Sequence, residues 1–320
     1  MEARDVLSSS RLAAALPRRL EAPSPRYGEK VIKGLLLTCA VISIATTIAI
    51  VVSLLIPSIS FFQEVGVFEF LFGTEWSPII QPASFGVLPI VVGTLSVTFW
   101  GLLFAVPVGL AAAIWLSEYA SPRWRRTIKP TLEVLAGIPT VALGFFAFTF
   151  ITPLLQDVWP GFLGDEPNIF NALAAGLAIG LLIVPIIASI SEDAMSAVPG
   201  GLREGAYALG ASRMRVATRV VFPAALSGIV ASIVLGVSRA VGETMVVLMA
   251  AGSTPNFSFN PVESIQAMTA FIGVVATGDI PSGTIKYDTI FAVGLLLFFM
   301  TLMMNLISIR LVRKYREVYE

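Results

Sequence analysis

Long apolar blocks separated by short polar stretches dominate this chain. A bilayer core of about 30 Å needs about 20 apolar residues in a helix. Six blocks reach that length, at 31–59, 85–116, 131–155, 169–190, 225–251 and 289–311. The pattern predicts an all-α polytopic membrane protein with six transmembrane helices and both termini on one side. Prolines recur inside the blocks: Pro89 and Pro107 in the second, Pro139 in the third, Pro185 in the fourth. In lipid the carbonyls they free must find partners, so these helices should pack in a bundle. The run Leu135-Ala136-Gly137-Ile138-Pro139-Thr140 sets small residues beside a proline, which permits close helix approach and exposes the Thr140 hydroxyl.

Charge placement orients the blocks. Of 320 residues only 13% are charged and 56% are hydrophobic, where a soluble domain is usually near a quarter charged. The first thirty residues carry Arg4, Arg11, Arg18, Arg19, Arg26 and Lys30. Arg123, Arg125, Arg126 and Lys129 lie between blocks two and three, and Arg203, Arg213, Arg215 and Arg219 between four and five. Arg310, Arg313, Lys314 and Arg316 close the chain. The other three connections are acidic, and their only basic residue is Lys286. Positive residues mark the cytoplasmic side, so both termini and the two basic connections are expected there. Trp76, Trp159 and Phe257 are expected at the membrane interface on the other side, and 73–78 reads as a turn-rich ledge. The expected organisation is a polar cytoplasmic tail over 1–30, a transmembrane domain over 31–312 with a cytoplasmic loop at 192–224, and a cytoplasmic tail over 313–320. Glu133, Glu192 and Asp193 are expected at headgroup level.

Several chemistries are disfavoured. With one cysteine, Cys39, no disulfide can form within the chain, and with no histidine the commonest catalytic base and metal ligand is missing. There is no phosphate-binding Gly-x-x-x-x-Gly-Lys-Ser/Thr loop, no nucleophile elbow, no cluster of metal ligands and no nucleic-acid signature. These absences argue against an enzyme, and no cofactor of the chain's own is expected.

Two polar segments carry the functional reading. Arg203-Glu204-Gly205-Ala206-Tyr207-Ala208-Leu209-Gly210-Ala211 is followed a dozen residues later by Phe222-Pro223, and Pro199-Gly200-Gly201 breaks the chain just before it. This reads as a short helix, a glycine bend at Gly210 and a second helix. Glu204, Gly205, Ala206, Gly210, Ala211 and Pro223 resemble the EAA loop of ABC importer permeases, with mild departures at Gly205, Val220 and Phe222. The resemblance implies a type I ABC importer permease fold, with this loop docking a separate ATPase. An ordinary amphipathic interfacial helix is the plainer reading.

The second segment is Ser238-Arg239-Ala240-Val241-Gly242-Glu243-Thr244-Met245. On a continuous fifth helix Arg239 lies roughly 22 Å beyond Pro223 at 1.5 Å per residue, at or past mid-membrane. A central arginine there costs about 2.5–3.5 kcal/mol on insertion scales and must face protein or water. Glu243, one turn on, would share its face. A self-neutralising pair is one reading. The other is a site for a small oxyanion, which guanidinium matches bidentately. Glu243 would then be the resting partner of Arg239 and a filter for protonated phosphate. The segment resembles the Arg-Ala-x-Gly-Glu-Thr-Met signature of the phosphate-specific (Pst) permeases, PstC type. That resemblance extends from about residue 53 to 310 and places Arg239, Glu243, Ser238, Thr244 and Thr140 on the substrate path. It implies as partners a homologous permease (PstA type), two copies of an ATPase (PstB type) carrying ATP and Mg, and a phosphate-binding protein (PstS type). The lipid bilayer is the surrounding phase, and no nucleic acid is implied. Sulfate and molybdate permeases, a free-standing secondary anion transporter, and an enzyme acting on a phosphorylated lipid stay as alternatives.

Overall fold

The computed structural model describes residues 27–281 and 283–314. The basic residues expected in the N-terminal tail, Arg4 to Arg26, and Arg316 in the C-terminal tail lie outside the described residues. Helix α1 runs Tyr27–Glu64, so it starts before the expected boundary at 31. The chain divides into two units, 1–53 and 54–320. In the first, α1 presents apolar side chains all round, such as Leu35, Ile42 and Ile48, as a helix in contact with lipid does.

The second unit is a helical bundle. After a short α2 (Val67–Phe72), Trp76–Ser77 and Ser84–Phe85 pair as an antiparallel two-stranded hairpin, β1 and β2. Then follow α3 (Leu88–Tyr119), α4 (Pro122–Leu135), α5 (Thr140–Val158) and α6 (Ala172–Ser196). The chain continues through α7 (Gly200–Ala208), α8 (Arg213–Ala224), α9 (Leu226–Val241), α10 (Met245–Ala250), α11 (Met268–Thr277) and α12 (Ile285–Lys314). Among the described residues five helices are long and apolar enough to span a membrane, and six if α8 and α9, bent by 73°, form one span.

Helices α3 and α6 form the centre of the bundle, and glycines set their separation. A Cβ on Gly101 would stand 2.9 Å from the Gly176 carbonyl oxygen, and one on Gly180 would stand 2.9 Å from that of Gly101. A Cβ on Gly109 would meet Ile187 at 2.9 Å. Lipid gives no hydrophobic drive for association, so such close backbone contact is how membrane helices adhere. Around this seam Val97, Ile179, Ile183 and Val247 form the central core. A second core around Phe61, Phe70, Trp76 and Phe271 lies at the hairpin end, and a third around Met195, Val216 and Ile229 at the α7 end.

Three sequence expectations change. The third block does not begin at 131: α4 ends at Leu135, and a new helix starts after Pro139. Proline disfavours helical backbone in the residue before it, which ends α4 there. The fifth block, 225–251, is two helices broken at 242–244. Trp76 is no interfacial anchor, since it is buried edge-on against Phe271 with ring centroids 4.8 Å apart.

Candidate functional site

The α7–α8 loop takes the predicted shape. Gly210 adopts φ +78°, a left-handed backbone suited to glycine. Gly210 N–H donates to the Tyr207 carbonyl (2.9 Å) and Ala211 N–H to that of Ala206 (3.1 Å), which closes α7. Glu204, Gly205 and Pro223 are exposed, while Ala206 and Ala211 pack onto the core beneath. Leu209 is 91% exposed, and Tyr207 and Met214 also stand out from the loop. A polar loop carrying bare apolar side chains has the character of a docking surface.

Arg203 fastens this loop to the bundle, a role that sequence spacing does not reveal. Its Nη1 donates to the Val198 carbonyl (2.6 Å) and its Nη2 to that of Met195 (2.7 Å), at the end of α6. Its Nε and Nη2 donate to Glu118 Oε1 at 3.2 and 3.0 Å. Glu118 is buried in the π-turn Trp115–Tyr119 that ends α3. One side chain therefore ties α7 to the ends of both central helices.

A second polar cluster joins α4 to α6. Glu192, expected at headgroup level, is fully buried. It accepts from Lys129 Nζ at 2.8 Å and from Ser196 Oγ at 2.7 Å, and it pairs with Arg125. Lys129 also reaches Asp193. Burial opposes the Lys129 charge, but the bonds to Asp193 and Glu192 outweigh it and raise the ammonium pKa above its ordinary value.

Arg239 lies in the last turn of α9 and faces a cleft of ≈ 590 Å³ that it shares with Glu133, Pro185, Ile186, Ser189 and Leu235. It is exposed, and no hydrogen bond or ion pair reaches its guanidinium among the described residues. Glu133 stands on the same cleft, 3.5 Å from the Ser189 hydroxyl.

Glu243 is not Arg239's partner. The helix stops at Val241, so the four-residue spacing no longer puts both on one face. Glu243 is buried, and its Oε1 accepts from the N–H groups of Met245 (3.2 Å) and Val246 (3.4 Å), at the start of α10. Its carbonyl accepts from Thr269 Oγ1 at 2.7 Å. A carboxylate satisfying the first free N–H groups of a helix gains from their partial positive charge. Nor are the other three residues on the expected path in the cleft lining. Ser238 donates to Asn305 on α12 (3.1 Å), Thr244 bonds back to the Gly242 carbonyl (3.4 Å), and Thr140 opens α5.

Together the bundle of apolar helices and its exposed loop have the form of a membrane-spanning component with a surface for docking another chain. Residues 105–316 match the family of binding-protein-dependent transport system inner membrane components, and the chain belongs to that family. It has the type I ABC importer permease fold and is a transport subunit of such an importer, set in the membrane.

Relatives narrow the likeness. The probable ABC transporter permease protein YqgH of Bacillus subtilis is 35% identical, over 88% of this chain and 89% of that one. The phosphate transport system permease protein PstC of Pasteurella multocida is 33% identical, over 84% and 87%. A bacterial alginate ABC transporter chain superposes with a TM-score of 0.62 at 17% identity, covering 91% of this chain and 98% of its own. The MetNI methionine transporter does so with a TM-score of 0.51 at 20% identity, covering 72% and 95%.

Proposed function

We propose that this subunit forms part of the path by which inorganic phosphate is imported, and that Arg239 is its anion ligand. The observation that carries the reading is a guanidinium in the last turn of α9 in a membrane bundle, facing a cleft with no counter-ion bonded to it among the described residues. A charge so placed needs a partner, and a tetrahedral oxyanion matches its planar fork. The names of the PstC relatives support phosphate as that anion.

Glu133, on the same cleft and not ion-paired with Arg239, takes the filtering role first assigned to Glu243. Its carboxylate accepts a hydrogen bond from hydrogen phosphate when the cleft is filled. Glu243 acts instead by holding the chain break above Arg239 in shape.

In this reading the loop around Glu204 and Gly210 faces the cytoplasm with both termini and docks a PstB-type ATPase, which carries ATP and Mg. A PstA-type permease completes the path, and a PstS-type binding protein delivers phosphate to the hairpin end. The membrane is the bacterial cytoplasmic (inner) membrane.

Phosphate uptake into vesicles holding the assembled importer tests this. Arg239→Gln should abolish uptake while ATP hydrolysis and assembly persist. Arg239→Lys keeps charge but loses the fork and should retain a fraction. Competition by arsenate, and not by sulfate or molybdate, is expected. Near-normal phosphate uptake by an intact Arg239→Gln importer overturns the assignment.

A further inference from the structure

The hairpin end of the bundle holds a second polar site, whose lining does not include Arg239. Trp76 is 4% exposed, and its indole Nε1–H has no hydrogen-bond acceptor. A buried donor left unpaired is costly, so such a group calls for a ligand. Trp76 borders a hollow of ≈ 200 Å³ shared with Ser77, Ser253, Gln266 and Phe271. Gln266 is 7% exposed, and its side-chain amide also has no bond among the described residues.

The charge at this hollow is of one sign. Lys286, the lone basic residue in the three acidic connections, stands behind the wall, where its ammonium donates to the carbonyl of the lining residue Ile79 at 2.7 Å. Among the described residues no carboxylate lines the hollow. Its polar complement is therefore an indole N–H, an amide, two hydroxyls and a nearby cation. An indole donates only, so an occupant must bring acceptors. Neutral donors with one cation at the margin hold an anion firmly enough to collect it and loosely enough to release it, as conduction through successive sites requires.

We propose that this hollow is a landing subsite for a small oxyanion, occupied before the anion reaches Arg239. It rests on the reading of the chain as a phosphate permease, and it adds a first stop at the opposite end of the bundle from the α7–α8 loop. Trp76 and Gln266 donate to the anion, and Lys286 supplies the attraction.

The test uses the complete importer in lipid nanodiscs, with Cys39→Ser and a reporter thiol, Ile80→Cys, at the margin, where Ile80 is 71% exposed. The rate of modification by a charged maleimide is measured with added inorganic phosphate, sulfate or chloride at equal ionic strength. Phosphate should slow modification at least threefold over chloride. Lys286→Met and Gln266→Leu should remove that protection, Lys286→Arg should keep it, and Arg239→Gln should leave it intact. Equal rates in phosphate and chloride, in a complex that still takes up phosphate, overturn the subsite and leave the transport reading standing. Protection by sulfate alone keeps the subsite and removes phosphate as the substrate.

Discussion

Gly210 is the sharpest place to perturb the loop, because the structure separates two reasons for needing glycine. A Cβ built there meets no atom within 4 Å, so size is no obstacle within this chain. The obstacle is the backbone, held at φ +78°. A residue with a Cβ in the left-handed region pays about 1–2 kcal/mol, which at about 1.4 kcal/mol per tenfold is roughly a 5- to 30-fold loss in the population of the docking-competent loop. Gly210→Ala should weaken binding of the ATPase to the purified permease by that factor. Gly210→Asn, which tolerates this conformation better, should lose less. In the permease alone, hydrogen exchange of the 200–224 amides should quicken equally for Gly210→Ala and Gly210→Leu, since neither side chain meets anything. Wild-type ATPase affinity in Gly210→Ala would refute the reasoning. So would a Leu variant far looser than Ala in the isolated permease, since volume would then be the cause.

Other outcomes follow from the polar anchors. Arg203→Ala leaves buried Glu118 uncompensated, which costs about 3–5 kcal/mol for a buried pair; thermal melting of the assembled importer should fall, and Glu118→Gln in the same chain should recover part of the loss. Because the Lys129 pKa is raised on folding, the stability it contributes is full below its unfolded value of about 10.4 and is lost as pH rises through the folded one. Melting temperatures of wild type and Lys129→Met should therefore differ by a constant amount from pH 6 to 9 and converge only above pH 10.5. In a Cys39→Ser background, single cysteines replacing Ser77 and Ser258 should react with an impermeant thiol reagent from outside, and those replacing Ser121 and Ser212 should not; labelling at 212 from outside would invert the orientation.

Much of this was legible in the residues themselves. Apolar block length located α1, α3, α6 and α12 to within a few residues, because lipid thickness fixes helix length. The loop at 200–224 could be drawn because its breakers, Pro199 and Gly210, act locally. Arg239 could be singled out because a charge in an apolar block is costly wherever it points. Its supposed pairing with Glu243 failed, since that inference assumed an unbroken helix. The break depends on Glu243 and Thr269 meeting the freed backbone groups, and Thr269 comes from another helix. The Glu192 cluster and the Arg203–Glu118 pair were invisible for the same reason. Their partners lie 63 and 85 residues apart in sequence, beyond anything periodicity can report.

The glycine seam between α3 and α6 has a mechanical consequence. Backbones this close interlock like a key in its lock. Sliding one helix by a single turn, about 5.4 Å, would drive side chains into spaces that hold none. A ratchet within the pair is therefore barred, and so is prising it open without losing its whole line of contact. Since Arg203 grips the ends of both helices, a push on the loop reaches them together. The two central helices are thus built to respond to such a push as one oar, not as two.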